Sequence, residues 1–111
     1  AVSDVVEARA RQTAAKHGVE GFTDYREMLK RPDIQVVCVT TPSGIRIPIA
    51  TDAAAAGKNL IIEKPIDISL DKADQIIEAA RKARVKLMCV FQLRYGPAVQ
   101  KVRTAGQSGR A

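Results

Sequence analysis

The sequence predicts an α/β fold, doubly wound around a mostly parallel sheet. Three observations predict it. Short runs of β-branched and aliphatic residues recur along the chain, at 36–40, 60–62 and 85–91. Each is separated from the next by a helical stretch of roughly a dozen residues, the length a parallel crossover needs. Polar residues gather where each run ends, the place where open parallel sheets bind ligands.

The elements follow in order. Ala1 to Ser3 reads as the tail of a strand. Val5 to His17 is helical, with Gly18 placed to cap it in the left-handed region. Thr23 is the expected cap of a short helix through Met28 and Leu29, stopped before Pro32. The run Val36-Val37-Cys38-Val39-Thr40 reads as a strand buried on both faces. Ile47 to Ala56 is an Ala-rich helix ending at Gly57, and Leu60-Ile61-Ile62 is a second buried strand. Leu70 to Ala83 is the clearest helix: Ser69 caps it, and Leu70, Ala73, Ile76, Ile77 and Ala80 form its apolar stripe. Val85 to Phe91 is a third full strand, and Pro97 to Thr104 opens another helix. The tail, Gly106 to Ala111, reads as a linker or a fragment end.

Composition narrows the function. The 111 residues suffice for one domain. Aromatics are only 4%, so the core must be aliphatic. No apolar run approaches the ~20 residues that span a bilayer, and no signal peptide is visible, so a cytoplasmic protein with no membrane partner is expected. The net charge of +6 is spread over helix surfaces without interleaved aromatics, so nucleic acid is not the expected partner. Cys38 and Cys89 each lie in an apolar run without CxxC spacing. They read as buried free thiols, and no metal is expected.

The candidate site is the set of strand-end polar residues: Asp4, then Thr40-Thr41-Pro42-Ser43-Gly44, then Glu63-Lys64-Pro65, then Gln92 and Arg94. Asp4 can accept hydrogen bonds from the adenosine ribose of a dinucleotide, or it can simply cap the next helix. The Thr41 to Gly44 turn opens a helix whose N-terminal amides could face an anion or a polar ring, and it equally fits an ordinary connection. Glu63-Lys64 is either an exposed ion pair or a functional pair at the mouth of the sheet. A partly buried Lys64 there is suited to taking the proton of a hydroxyl that loses hydride. Pro65 fixes the chain after it, with a cis bond as one option.

These residues resemble the Gfo/Idh/MocA oxidoreductases. The resemblance rests on VVCVTTP, on AAAAGKNLIIEKP, on Ala73-Asp74 and Glu78-Ala79-Ala80 in the following helix, and on Gln92 to Tyr95. It implies a Rossmann-like NAD-binding domain, with NADP also possible and Asp4 favouring NAD. It implies that Lys64 is the catalytic and substrate-binding lysine and that Glu63 lies on the nicotinamide side. Thr41, Pro42 and Ser43 would run along the cofactor, with Asp4, Gln92 and Arg94 also binding it. The chain departs from the family at Ile45-Arg46, where a His is usual, and in showing no Gly-rich phosphate loop.

The expected parent is a dehydrogenase acting on a secondary alcohol of a sugar, cyclitol or nucleotide sugar. The turn and the last strand look most like nucleotide-sugar members. Residues 1–95 would be a partial dinucleotide domain lacking its first βα unit. Residues 96–111 would begin the connection to an α/β substrate domain, in a homo-oligomer. A non-catalytic binding or regulatory module with the same fold is the rival reading.

Overall fold

The computed structural model describes residues 1–109. The first strand, β1, is Val2–Ser3, and α1 is Glu7–His17. Then come β2 (Gly21–Phe22), α2 (Tyr25–Leu29), β3 (Val36–Val39), α3 (Arg46–Ala55) and β4 (Asn59–Ile62). The chain ends through α4 (Leu70–Ala83), β5 (Leu87–Cys89), a 3-10 helix at Gln92–Tyr95, and α5 (Pro97–Gln107). Every strand pair is parallel, as the crossover spacing predicts. The strands form two sets: β1 with β2, and β3-β4-β5 with β4 in the centre. Among the described residues, β1 and β3 are each hydrogen-bonded on one side only.

Register explains the core. Val37 pairs with Leu60 and Val39 with Ile62, and these four sit on one face, buried. Ala50, Ala53 and Ala54 of α3 and Ile76 and Ala80 of α4 close over that face. Small alanines let α3 lie close to both the sheet and α4. The opposite face carries Val36, Cys38, Ile61 and Met88, and Val36 and Met88 are nearly half exposed. The expectation of a strand buried on both faces is therefore corrected. The β3 run is buried on alternate residues, because no described helix covers the second face. Cys38 is consequently exposed and Cys89 only partly buried, against the expectation of two buried thiols.

Other elements shift in detail. Asp24, not Thr23, caps α2, its carboxylate accepting from the Arg26 amide at 2.9 Å. Gly18 ends α1 at φ 62, as expected of a left-handed cap. Ser69 accepts from the Lys72 amide at the start of α4. Leu70, by contrast, is 84% exposed, because it stands in the first turn, outside the buried stripe of Ile76 and Ala80. Strand β5 is shorter than expected: the Val85 amide is taken by Ala80 O in the helix cap, and only β4 pairs with it. The β2 strand escaped the sequence reading, being two residues long. The tail is helical to Gln107 rather than linker, and the last two residues of the expected linker lie outside the described residues. No described helix is long and apolar enough to cross a membrane.

Tyr25 links α2 to α3. Its hydroxyl donates to Asp52 Oδ2 at 2.7 Å. Burial first, then this bond, push the phenol up to about 12. A raised folded pKa means the stabilisation is present below the unfolded value near 10 and is lost as pH rises from there through 12. Tyr25→Phe should therefore cost about 1 kcal/mol at pH 8. Urea midpoints of both proteins should converge between about pH 10 and 12. A gap that does not change with pH would show that the bond contributes nothing.

Candidate functional site

The site begins where the ladder stops. The Glu63 amide donates to Val39 O at 3.1 Å and the Val90 amide to Ile62 O at 2.9 Å. These bonds bring the ends of β3, β4 and β5 side by side. Beyond them the backbone carbonyls lose their strand partners, and a side chain takes over. Arg46, the first residue of α3 and only 4% exposed, donates through Nε to Thr41 O at 2.8 Å. Its Nη1 donates to both Glu63 O and Pro65 O. One guanidinium thus ties the Thr41 turn to the backbone on either side of Lys64.

Within this group the turn 41–44 contains Gly44 at φ 91, a conformation that glycine reaches without strain. The Lys64–Pro65 bond is cis. Glu63 Oε2 accepts from the Lys64 amide at 3.1 Å, so Glu63 is engaged by backbone rather than by the lysine ammonium. Among the described residues Glu63 and Lys64 form no ion pair. Lys64 is exposed, where the sequence reading has it partly buried. Two buried oxygens, Thr41 Oγ1 and Asp67 Oδ2, have no hydrogen-bond partner. Buried polar atoms are seldom left so. Cys89 also borders the group: burial pushes its thiol up, while the Arg46 charge acts in the other direction and Glu63 with the burial.

The remaining candidates stand apart. Asp4 follows β1, its amide donating to Phe22 O at 3.1 Å. Its Oδ1 accepts from the Val6 amide at 2.8 Å and from Arg9 Nη2 at 3.0 Å. The amide bond, then Arg9, hold this carboxyl below the ordinary carboxylate value. Asp4 therefore braces the entry to α1 without being its cap residue, which is Val6. Its second oxygen makes no hydrogen bond among the described residues, leaving it free to accept one. Gln92 and Arg94 fall in the 3-10 helix, both exposed, with Arg94 lying over the Tyr95 ring at 5.8 Å. The structure joins Thr41, Glu63 and Pro65 through Arg46, with Lys64 between the last two and Pro42 and Ser43 in the Thr41 turn. Among the described residues no hydrogen bond or ion pair runs from that group to Asp4, Gln92 or Arg94. Arg46 itself went unassigned in the sequence, although a lone arginine between Ile45 and Ile47 is a signal.

The sequence profile of an oxidoreductase family with an NAD-binding Rossmann fold, Gfo/Idh/MocA, matches residues 1–91. The chain belongs to that family. An uncharacterised oxidoreductase, YrbE of Bacillus subtilis, is 34% identical over 98% of this chain and 32% of its own length. Myo-inositol 2-dehydrogenase of Thermotoga maritima is 32% identical over 98% of the chain and 33% of its own. Among solved structures, the WlbA dehydrogenase of Bordetella pertussis in complex with NADH and UDP-GlcNAcA superposes with a TM-score of 0.92. It is 27% identical, over 97% of this chain and 33% of that one. The chain thus spans about a third of the length of these Gfo/Idh/MocA relatives. The Rossmann expectation is met, and the cofactor class of the fold is NAD.

The residues present fit such a cofactor. A free carboxylate oxygen on Asp4 would suit a ribose diol, and the partnerless Thr41 hydroxyl lies just beyond the end of β3, the side on which open parallel sheets bind ligands. No described cluster of three or more His, Cys, Asp or Glu is arranged for a metal.

Proposed function

We propose that this chain is most of the NAD-binding domain of a dehydrogenase that oxidises a secondary alcohol of a sugar, cyclitol or nucleotide sugar. The observation that carries the proposal is the strand-end loop. Lys64 stands exposed beside the Thr41 turn, and its flanking carbonyls are fixed by Arg46. A nicotinamide held at these strand ends would supply the hydride acceptor. Lys64 binds and orients the reacting hydroxyl and, in its neutral amine form, takes the hydroxyl proton to become the ammonium. Glu63 orders the loop and borders the nicotinamide, while Thr41, Pro42, Ser43, Gln92 and Arg94 line the cofactor. Asp4 receives the ribose hydroxyls and disfavours a 2′-phosphate, so NAD is preferred to NADP.

In this reading residues 1–95 are dinucleotide domain and 96–111 lead to a substrate domain. A preceding strand, Gly-rich turn and helix supply the pyrophosphate site, the strand adding to the free edges of β1 and β3. The full-length protein is a cytoplasmic homo-oligomer. The nucleotide-sugar subclass is favoured by the Thr-Pro-Ser-Gly turn, the kinship with a UDP-GlcNAcA-bound relative adding to it.

The test is calorimetry with NAD. The 111-residue chain alone should bind more weakly than about 1 mM, near 4 kcal/mol, because it lacks the helix N-terminus that holds the pyrophosphate. The full-length protein should bind NAD in the micromolar range and reduce it with myo-inositol or a UDP-linked N-acetyl sugar as probe. Micromolar binding to the short chain would overturn the domain division.

A further inference from the structure

We infer that Arg46 is the positioning residue of the site, a clamp that sets where Lys64 stands. The inference rests on the role proposed for Lys64 only for its effect on turnover. Strands β3 and β4 end at Val39 and Ile62, and the carbonyls beyond them have no ladder to join. Three of these, on Thr41, Glu63 and Pro65, converge on one guanidinium. Two of the three bracket Lys64 along the chain, and the third belongs to the Thr41 turn. A guanidinium suits this task because its donors fan out in a rigid plane. An ammonium is a point donor on a flexible stem and cannot hold the same three acceptors in fixed relation.

Burial makes the arrangement directive. Arg46 is 4% exposed and has no carboxylate within ion-pair distance among the described residues. A buried charge must be compensated, and here backbone carbonyls alone do so. The loop cannot drift away without stranding that charge. The turn and the Glu63–Pro65 loop therefore move as one unit with the start of α3. A salt bridge in the same place would leave the backbone free. Glu63 forms no ion pair with Arg46 among the described residues, and its Oε2 accepts from the Lys64 amide instead.

The experiment uses the full-length protein and two variants, Arg46→Met and Arg46→Lys. Met matches the stem and fills the space without charge, leaving the three carbonyls to find water. Should Met fail to fold, Arg46→Lys carries the test, since it keeps the charge and loses the three-way geometry. Hydrogen exchange without any cofactor is the first readout. Amides of 41–45 and 63–68 should exchange at least tenfold faster, while those of α4 from Ala73 onward are unchanged. Unchanged exchange in both loops would overturn the clamp. Turnover is the second readout, with NAD and myo-inositol or a UDP-linked N-acetyl sugar as probe. The variant should lose about tenfold or more in kcat, a larger factor than it loses in NADH affinity. In a Lys64→Met background the same change should cost less than threefold, because the position it sets no longer matters. Equal losses in both backgrounds would overturn the link to Lys64. Loosened loops together with full turnover of Lys64→Met would uphold the clamp and refute the catalytic reading of Lys64, so the two failures are distinct.

Discussion

Lys64→Met in the full-length protein is expected to lower turnover by about 10²–10⁴-fold, or roughly 3–5 kcal/mol of transition-state stabilisation. The side chain is exposed beyond the end of β4, so its loss removes no core contact and urea midpoints should stay put. NAD affinity should change little, because the lysine is proposed to meet the hydroxyl rather than the cofactor. Lys64→Arg should not restore activity fully, since a guanidinium keeps its proton near neutral pH. Steady-state kinetics of wild type and both variants, with an NAD titration beside them, decide the matter. Turnover of Lys64→Met within threefold of wild type would show that Lys64 carries no part of the catalysis. The same outcome would make Glu63-Lys64 an ordinary surface pair.

Much of this arrangement is legible in the residues, and the limits have physical causes. Ser69 and Gly18 act locally, one as a hydroxyl acceptor and the other as a left-handed cap, so sequence identifies both. The EKP block is legible because three residue types in a row mark a strand end. Arg46 is harder. Its three acceptors lie at Thr41, Glu63 and Pro65, and only the fold brings the last two near. Burial of Cys38 fails for a related reason. An apolar run tells that a strand wants cover, not which of its faces this stretch of chain supplies. Thr23 and Asp24 compete for one cap, and both can accept from the helix amides. The register of the following turn selects Asp24, which pattern alone does not resolve. Lys64 is exposed because its loop rises clear of β4, whereas position after a buried strand had implied partial burial.

The second large effect belongs to Ile62, which has no exposed surface. It is the last residue of the central strand, pairing with Val39 on one side and Cys89 on the other. It belongs to the same buried cluster as Ala50, Ala53 and Ala54 of α3 and Ile76 of α4. Those neighbours are small or already close-packed, so they have little side chain with which to refill a void. Ile62→Ala should therefore cost about 2–5 kcal/mol, toward the upper end, from lost transfer energy plus a cavity that persists. Ile62→Val removes one methylene and should cost only about 0.5–1.5 kcal/mol. Met88→Ala, on the uncovered face at nearly half exposure, should cost much less than Ile62→Ala. Urea denaturation of the three variants gives the ranking through their midpoints, provided the slope m is unchanged. The effect reaches the site as well. Ile62 immediately precedes Glu63, and its carbonyl receives the Val90 amide that aligns β5 with the loop. A collapse toward the cavity would pull Glu63 and Lys64 inward, and Arg46 would have to follow or lose two of its three acceptors. Loss of stability in Ile62→Ala no larger than in Met88→Ala would mean that the two faces of the sheet are equally covered, contrary to the burial on which this core rests.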